Sequence, residues 1–103
     1  MKAILIQTTC SNQEEAKKIA RVLIEEKLAA CVQLNKIESI YSWKNKICES
    51  QEILLNIKTK KKLFGEIKST ILKLHSYDVP EIIEIDISNM SKNYIKFIKD
   101  NTK

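Results

Sequence analysis

The sequence predicts an α+β domain in which helices cover one face of an antiparallel sheet, and three observations carry that reading. Isoleucine-rich, strand-like runs alternate with segments of helical periodicity along the whole chain. The last such run sets Ile83, Ile85 and Ile87 against Glu84 and Asp86, the period-two pattern of a sheet with one covered face. One glycine and one proline in 103 residues are too few for a loop-rich sandwich or barrel. A chain of this length folds as one domain, residues 1–103, around a single core without disulfide or metal staples.

Each element follows from its own pattern. Lys2–Thr8 is an apolar run that reads as a buried strand. Ser11-Asn12-Gln13-Glu14 has the spacing of a capping box, in which a serine hydroxyl satisfies a free helix N–H and a glutamate three residues on reciprocates. In the helix that follows, Ala16, Ile19, Ala20, Leu23 and Leu28 recur at helical spacing, with Glu15, Lys18, Glu25 and Glu26 on the opposite, solvent face. Ala30–Trp43 reads as a long strand whose apolar phase changes between Leu34 and Ile37, which predicts a bulge near Asn35-Lys36. Lys44-Asn45 supplies a tight turn, asparagine being tolerant of the left-handed conformation.

A returning strand over Lys46–Lys58 places Ile53, Leu55 and Ile57 on one face. Both strands exceed the common five or six residues. The hairpin they form must project beyond the domain and expose Ile40, Tyr41, Trp43 and Ile47 near its tip, a pattern that points to a partner. Thr59 is placed to cap a second helix with Leu63, Phe64, Ile67, Ile71 and Leu74 inward; Gly65 weakens that helix by about 1 kcal/mol without ending it. Pro80 drives Val79 out of the helical region, so His75-Ser76-Tyr77-Asp78 makes a polar elbow before a strand at Ile82–Ile87. Ser91 opens a last helix with Tyr94, Ile95 and Ile98 inward. The order βαββαβ plus a C-terminal helix is the split βαβ of the ferredoxin-like sandwich.

Composition bounds the function. The net charge of +5 comes from lysines spread along the chain, Arg21 being the only arginine, and the third strand offers Leu54, Asn56 and Lys58 where an RNA-binding sheet carries aromatics. Nucleic acid is therefore not the expected partner. No run reaches the length of a membrane span or signal sequence, so the expected setting is the cytoplasm, away from membranes. Cys10, Cys31 and Cys48 are odd in number and form no C-x-x-C pair, which predicts free thiols and no four-ligand structural zinc site. A single glycine also rules out a glycine-rich phosphate cradle.

The elbow concentrates the chemistry. His75, the only histidine, is placed either as a metal ligand or proton carrier, or as a cation at the end of the second helix. Asp78 and Glu81 supply oxygen ligands or a base, or are solvated turn carboxylates. Cys10 lies where the first strand enters the first helix, with no second cysteine beside it to make a two-thiolate site. Cys31 reads as a small buried apolar residue and Cys48 as an exposed or contact residue near the hairpin tip.

Three stretches in order resemble the CutA divalent-cation-tolerance family. They are TTCSNQEEAKKIARVLIEEKLAACV (Thr8–Val32), SIYSWKNKICESQEILLNIKT (Ser39–Thr59), similar to the family's Tyr-x-Trp-x-Gly-Lys hairpin, and HSYDVPEIIEIDI (His75–Ile87), similar to its His-Pro-Tyr-x-x-Pro-Glu-Ile. The resemblance implies a homotrimer with the architecture of PII signalling proteins, in which long hairpins extend across neighbouring subunits. It implies a role with copper or other divalent cations and no established reaction. By position, the family's polar cleft between subunits falls on Cys31, Trp43, Lys58, His75, Tyr77 and Glu81, with His75 the metal ligand.

Asn45 stands for the hairpin glycine and Ser76 for the proline after the histidine. The family's copper-binding cysteine and paired histidines correspond to Thr8, Leu74 and His75, of which only His75 matches. Two other readings stay open: a PII-like module that uses Lys58 to hold a small anionic ligand, and a hydrolase using His75, Tyr77 and Glu81.

Overall fold

The structure, a computed structural model, describes residues 1–103. Its elements are β1 (Ala3–Cys10), α1 (Gln13–Glu25), β2 (Cys31–Trp43), β3 (Lys46–Lys60), α2 (Phe64–Leu74, entered through a 3₁₀ turn at Lys61–Leu63), β4 (Ile83–Asp86) and α3 (Lys92–Asp100). The four strands form one antiparallel sheet in the order β2-β3-β1-β4. This is the ferredoxin-like βαββαβ sandwich with its long hairpin and added C-terminal helix. No helix is long and apolar enough to cross a membrane.

The apolar periodicities decide which face closes. Ile4 and Ile6 of β1, Leu55 and Ile57 of β3, Ile19 and Leu23 of α1 and Ile67 and Ile71 of α2 are all fully buried in one cluster. Each such side chain contributes about 1.5–3 kcal/mol through its removal from water. Ile98 of α3 is fully buried outside that cluster, while Ile95, expected inward, is 38% exposed.

Three local expectations are corrected. The capping residue is Asn12, one position later than Ser11: its side chain accepts from the Glu15 backbone N–H at 2.8 Å, which makes Glu15 rather than Glu14 the third helical residue. There is no bulge at Asn35-Lys36, because β2 and β3 pair without interruption from Cys31↔Lys58 to Trp43↔Lys46. Cross-strand partners share a face, so Val32 and Leu34 lie on the face of Ile57 and Leu55, and Ile37, Tyr41 and Trp43 on the other. The apolar phase changes because a different face is apolar towards the tip. Thr59 caps nothing; it is the penultimate residue of β3, fully buried, and its hydroxyl donates to the Leu28 carbonyl.

Two chain reversals fix the ends of these elements. After α1, Lys27 adopts φ 58°, and the bonds Leu28 N–H→Leu23 carbonyl and Lys27 N–H→Ile24 carbonyl complete a Schellman motif with lysine where glycine is usual. At the hairpin, Lys44 (φ 50°) and Asn45 (φ 64°) make a two-residue turn with both φ values positive, the type I′ geometry that matches strand twist. The hairpin gives the molecule a 45 Å long axis against 26 and 22 Å for the other two. At its tip Ile40 and Ile47 are 72% and 83% exposed.

Candidate metal centre

The elbow after α2 folds back onto the end of β1. His75 caps α2 in extended conformation (φ −83°, ψ 139°), and its N–H donates to the Ile71 carbonyl at 2.9 Å. That backbone turn points the ring into the protein, where its side chain is 1% exposed. His75 Nε2 lies 2.7 Å from the Thr9 carbonyl oxygen and 3.9 Å from Cys10 Sγ. On the other edge of the ring, Nδ1 accepts the backbone N–H of Tyr77 at 3.1 Å. A ring that faces a carbonyl at Nε2 and an amide donor at Nδ1 is the neutral tautomer carrying its proton on Nε2.

Carboxylates approach from two other elements. The corrected cap sets Glu15 one turn into α1, and its Oε1 reaches 3.6 Å from His75 Nδ1 while accepting the Ser76 hydroxyl at 3.2 Å. This corrects its placement on the solvent face of the helix: its side chain is only 16% exposed. Glu52 of β3 is buried and accepts the Tyr77 hydroxyl at 2.8 Å. The His75 and Tyr77 rings stack with centroids 4.7 Å apart. Three consecutive elbow side chains therefore bind three different elements, β1, α1 and β3.

The field in the pocket is negative. Burial first, then the charges of Glu15 and Glu52, push the Cys10 thiol up to about 12. Burial and the bond to Glu52 also raise the Tyr77 hydroxyl above its ordinary value. The Glu81 carboxyl is raised by partial desolvation and then by Glu52, although the residue as a whole is exposed. Donor atoms of Cys10, Glu15 and His75 all lie within 4.8 Å of one another, and the group gathers one sulfur, one oxygen and one nitrogen ligand. Glu52 also lines an open groove of about 390 Å³ between Ser11 and Gln13 at the start of α1 and Lys36–Glu38 of β2.

One chain brings together some of the residues marked from the sequence and separates others. His75, Tyr77 and Glu81 share the pocket region around Glu52. Cys31 and Lys58 face each other across β2 and β3, with Lys58 about 20 Å from Glu52 along the strand. The Lys58 ammonium lies 5.2 Å over the Tyr94 ring. Trp43 is at the hairpin tip, about 40 Å from Cys31 at the far end of the same strand, with Lys44 over its ring at 5.8 Å. Glu15 and Glu52 complete the pocket although neither is a candidate on the sequence alone. The signal for Glu15 was its place three residues after Asn12; Glu52 carries none, being one polar position in an alternating strand.

Comparison with known proteins supplies the family. The family model of the CutA1 divalent ion tolerance protein matches residues 4–101. The divalent-cation tolerance protein CutA of Pyrococcus horikoshii is 38% identical over 100 residues, covering 97% of this chain and 98% of that protein. The chloroplastic protein CutA of Arabidopsis thaliana is 38% identical over 102 residues, and the chain spans only 56% of its length. Among solved structures, the periplasmic divalent cation tolerance protein CutA from Archaeoglobus fulgidus superposes with a TM-score of 0.96 at 34% identity, over 98% of this chain and 99% of that one.

Proposed function

The chain belongs to the CutA1 family of divalent ion tolerance proteins, and from that premise we propose that it takes part in the response to metal ions by binding a divalent cation, copper or a similar ion, at the pocket of His75. The family is not a known enzyme family. The observation that carries the reading is the gathering of Cys10, Glu15 and His75, drawn from β1, α1 and the elbow, with donor atoms within 4.8 Å. Nitrogen, sulfur and oxygen donors at such spacing suit a transition-metal or zinc ion. Both ring nitrogens of His75 are hydrogen-bonded, so an ion must displace the bond to Thr9 or Tyr77, which favours modest affinity.

The proposal includes assembly as a homotrimer in the cytoplasm. The exposed apolar tip of the hairpin supports it, because Ile40, Tyr41, Trp43 and Ile47 on one short segment are a contact surface in want of a partner.

Calorimetric titration of copper(II) into the protein tests the cation reading. His75→Gln keeps an amide donor for the Thr9 carbonyl but removes imidazole, and its titration is expected to lose the pocket's binding isotherm. An unchanged isotherm, with the circular dichroism of the fold preserved, overturns the role of His75.

A further inference from the structure

We propose that the cavity at the entry to α2 binds a phosphate dianion, free or as the terminal group of a small ester, held by Lys2, Lys60, Lys61 and Lys62. The site goes beyond the cation reading and lies away from it, at the opposite end of β1 from Cys10, about 24 Å along the strand. There β3 ends beside the start of β1: Ala3 pairs with Lys60, and the Lys61 N–H donates to the Lys2 carbonyl at 2.8 Å. The chain then enters the 3₁₀ turn and α2, which gathers the four lysines and Met1 around an open cavity of about 350 Å³. That volume lies at the lower end of the range of small-molecule sites.

The charges there run against the local rule for a helix. A helix start favours acidic side chains, because its free N–H groups carry partial positive charge. This one opens on the run Lys60-Lys61-Lys62, with no acid in the 3₁₀ turn and no side chain capping it. Glu66, the acid in the first turn of α2, is paired with Lys103 at 3.0 Å. Proteins keep such violations at functional sites. Lys60 is the stronger observation. The residue is only 8% exposed, and its ammonium donates to two main-chain oxygens, of Thr102 and Lys103, each at 3.2 Å. One of its three donors stays free, and no acidic side chain pairs with it. A buried ammonium without such a partner is costly, and an anion in the cavity supplies the missing charge. The rim selects a dianion. Among the side chains, four ammonium groups face two carboxylates, Asp86 beside Lys2 and Lys61 and Glu84 beside Lys61, which leaves two positive charges in excess. A phosphate ester carries about −1.5 to −2 at neutral pH and matches that excess, whereas a single carboxylate does not. Lysine binds phosphate as a point charge, so this cradle needs no glycine-rich loop.

Calorimetric titration of inorganic phosphate, and separately of AMP, into the full chain tests the site, with ionic strength held constant by potassium chloride. Wild type is expected to give a saturable single-site isotherm with phosphate. Binding of AMP as well assigns the site to an ester, and binding of phosphate without AMP assigns it to the free ion. Lys62 is exposed, so Lys62→Glu leaves the fold intact and should weaken binding about tenfold or more, through loss of a charge-assisted bond and a new repulsion. Lys68→Glu, exposed on α2 and outside the cavity, makes the same change in net charge and should leave the affinity unchanged. Lys60→Met removes the buried ammonium and should abolish binding; if that variant fails to fold, Lys62→Glu carries the test. No saturable isotherm in wild type, or equal weakening by Lys62→Glu and Lys68→Glu, overturns the phosphate site. His75→Gln should bind phosphate as wild type does, so the failure of this site and the failure of the cation reading are told apart.

Discussion

At the scale of single residues, the pocket is a set of polar groups held away from water, and its protonation behaviour follows from that. Cys10 and Tyr77 both have raised values in the folded protein, chiefly through burial. A group whose folded value is raised binds its proton more tightly in the native state than in the unfolded chain. Its contribution to stability is complete below the unfolded value and is lost as pH rises towards the folded one. For Cys10 that window opens near 9.0 and extends to about 12. The melting temperature is therefore expected to fall as pH rises through this alkaline range, and the fall should be shallower in Cys10→Ala; identical slopes would refute the assignment.

Tyr77→Phe tests the second group. It leaves the buried Glu52 carboxylate without its hydroxyl donor and should cost about 1.5–3 kcal/mol in urea unfolding, the usual worth of a hydrogen bond to a charged group. A loss below about 0.5 kcal/mol, the range of an ordinary surface change, would mean that water satisfies Glu52 equally well.

At the scale of elements, the chain closes its helices and hairpin with residues that are adequate rather than optimal. Lys27 occupies the left-handed C-terminal position of α1, where a side chain carries a steric cost that glycine does not. Lys27→Gly should stabilise the protein by about 0.5–1 kcal/mol, the part of the left-handed penalty of about 1–2 kcal/mol that survives glycine's greater unfolded-state entropy. Thermal unfolding reads this directly, and a destabilised variant would show that the lysine side chain makes a contact worth more than the strain. The elements themselves are legible because their periods are clean: the inward residues of α1, α2 and β3 are those expected from spacing. Serine and asparagine are both good caps and stand side by side, so spacing alone does not choose Asn12 over Ser11. That one-residue difference moves Glu15 from the solvent face to the pocket.

At the scale of the whole molecule, the long hairpin is the least self-sufficient part. Its helix-proximal half is covered by α1 and α2, while its outer half carries apolar residues on both faces with nothing in the chain to cover them. Ile47 is 83% exposed at this tip, and Ile47→Asp would place a charge into any contact made there. Light scattering at micromolar concentration is expected to give three times the chain mass for wild type and a smaller species for Ile47→Asp. A wild-type monomer would overturn the trimer and, with it, a cleft joining Trp43, Cys31 and Lys58 to the elbow of another subunit.

Architecture, hairpin and family are legible along the chain, because hydrophobic periodicity, turn chemistry and contiguous motifs are local properties that survive in one dimension. The phase change in β2 shows the limit of that reading. It looked like a bulge and is an unbroken strand, because which face is buried depends on the elements laid against it. The pocket exists only through packing. His75 follows Cys10 by 65 positions and meets it only because β1 and the end of α2 finish at the same edge of the core, and no spacing along a chain encodes a contact that the packing of two other elements creates.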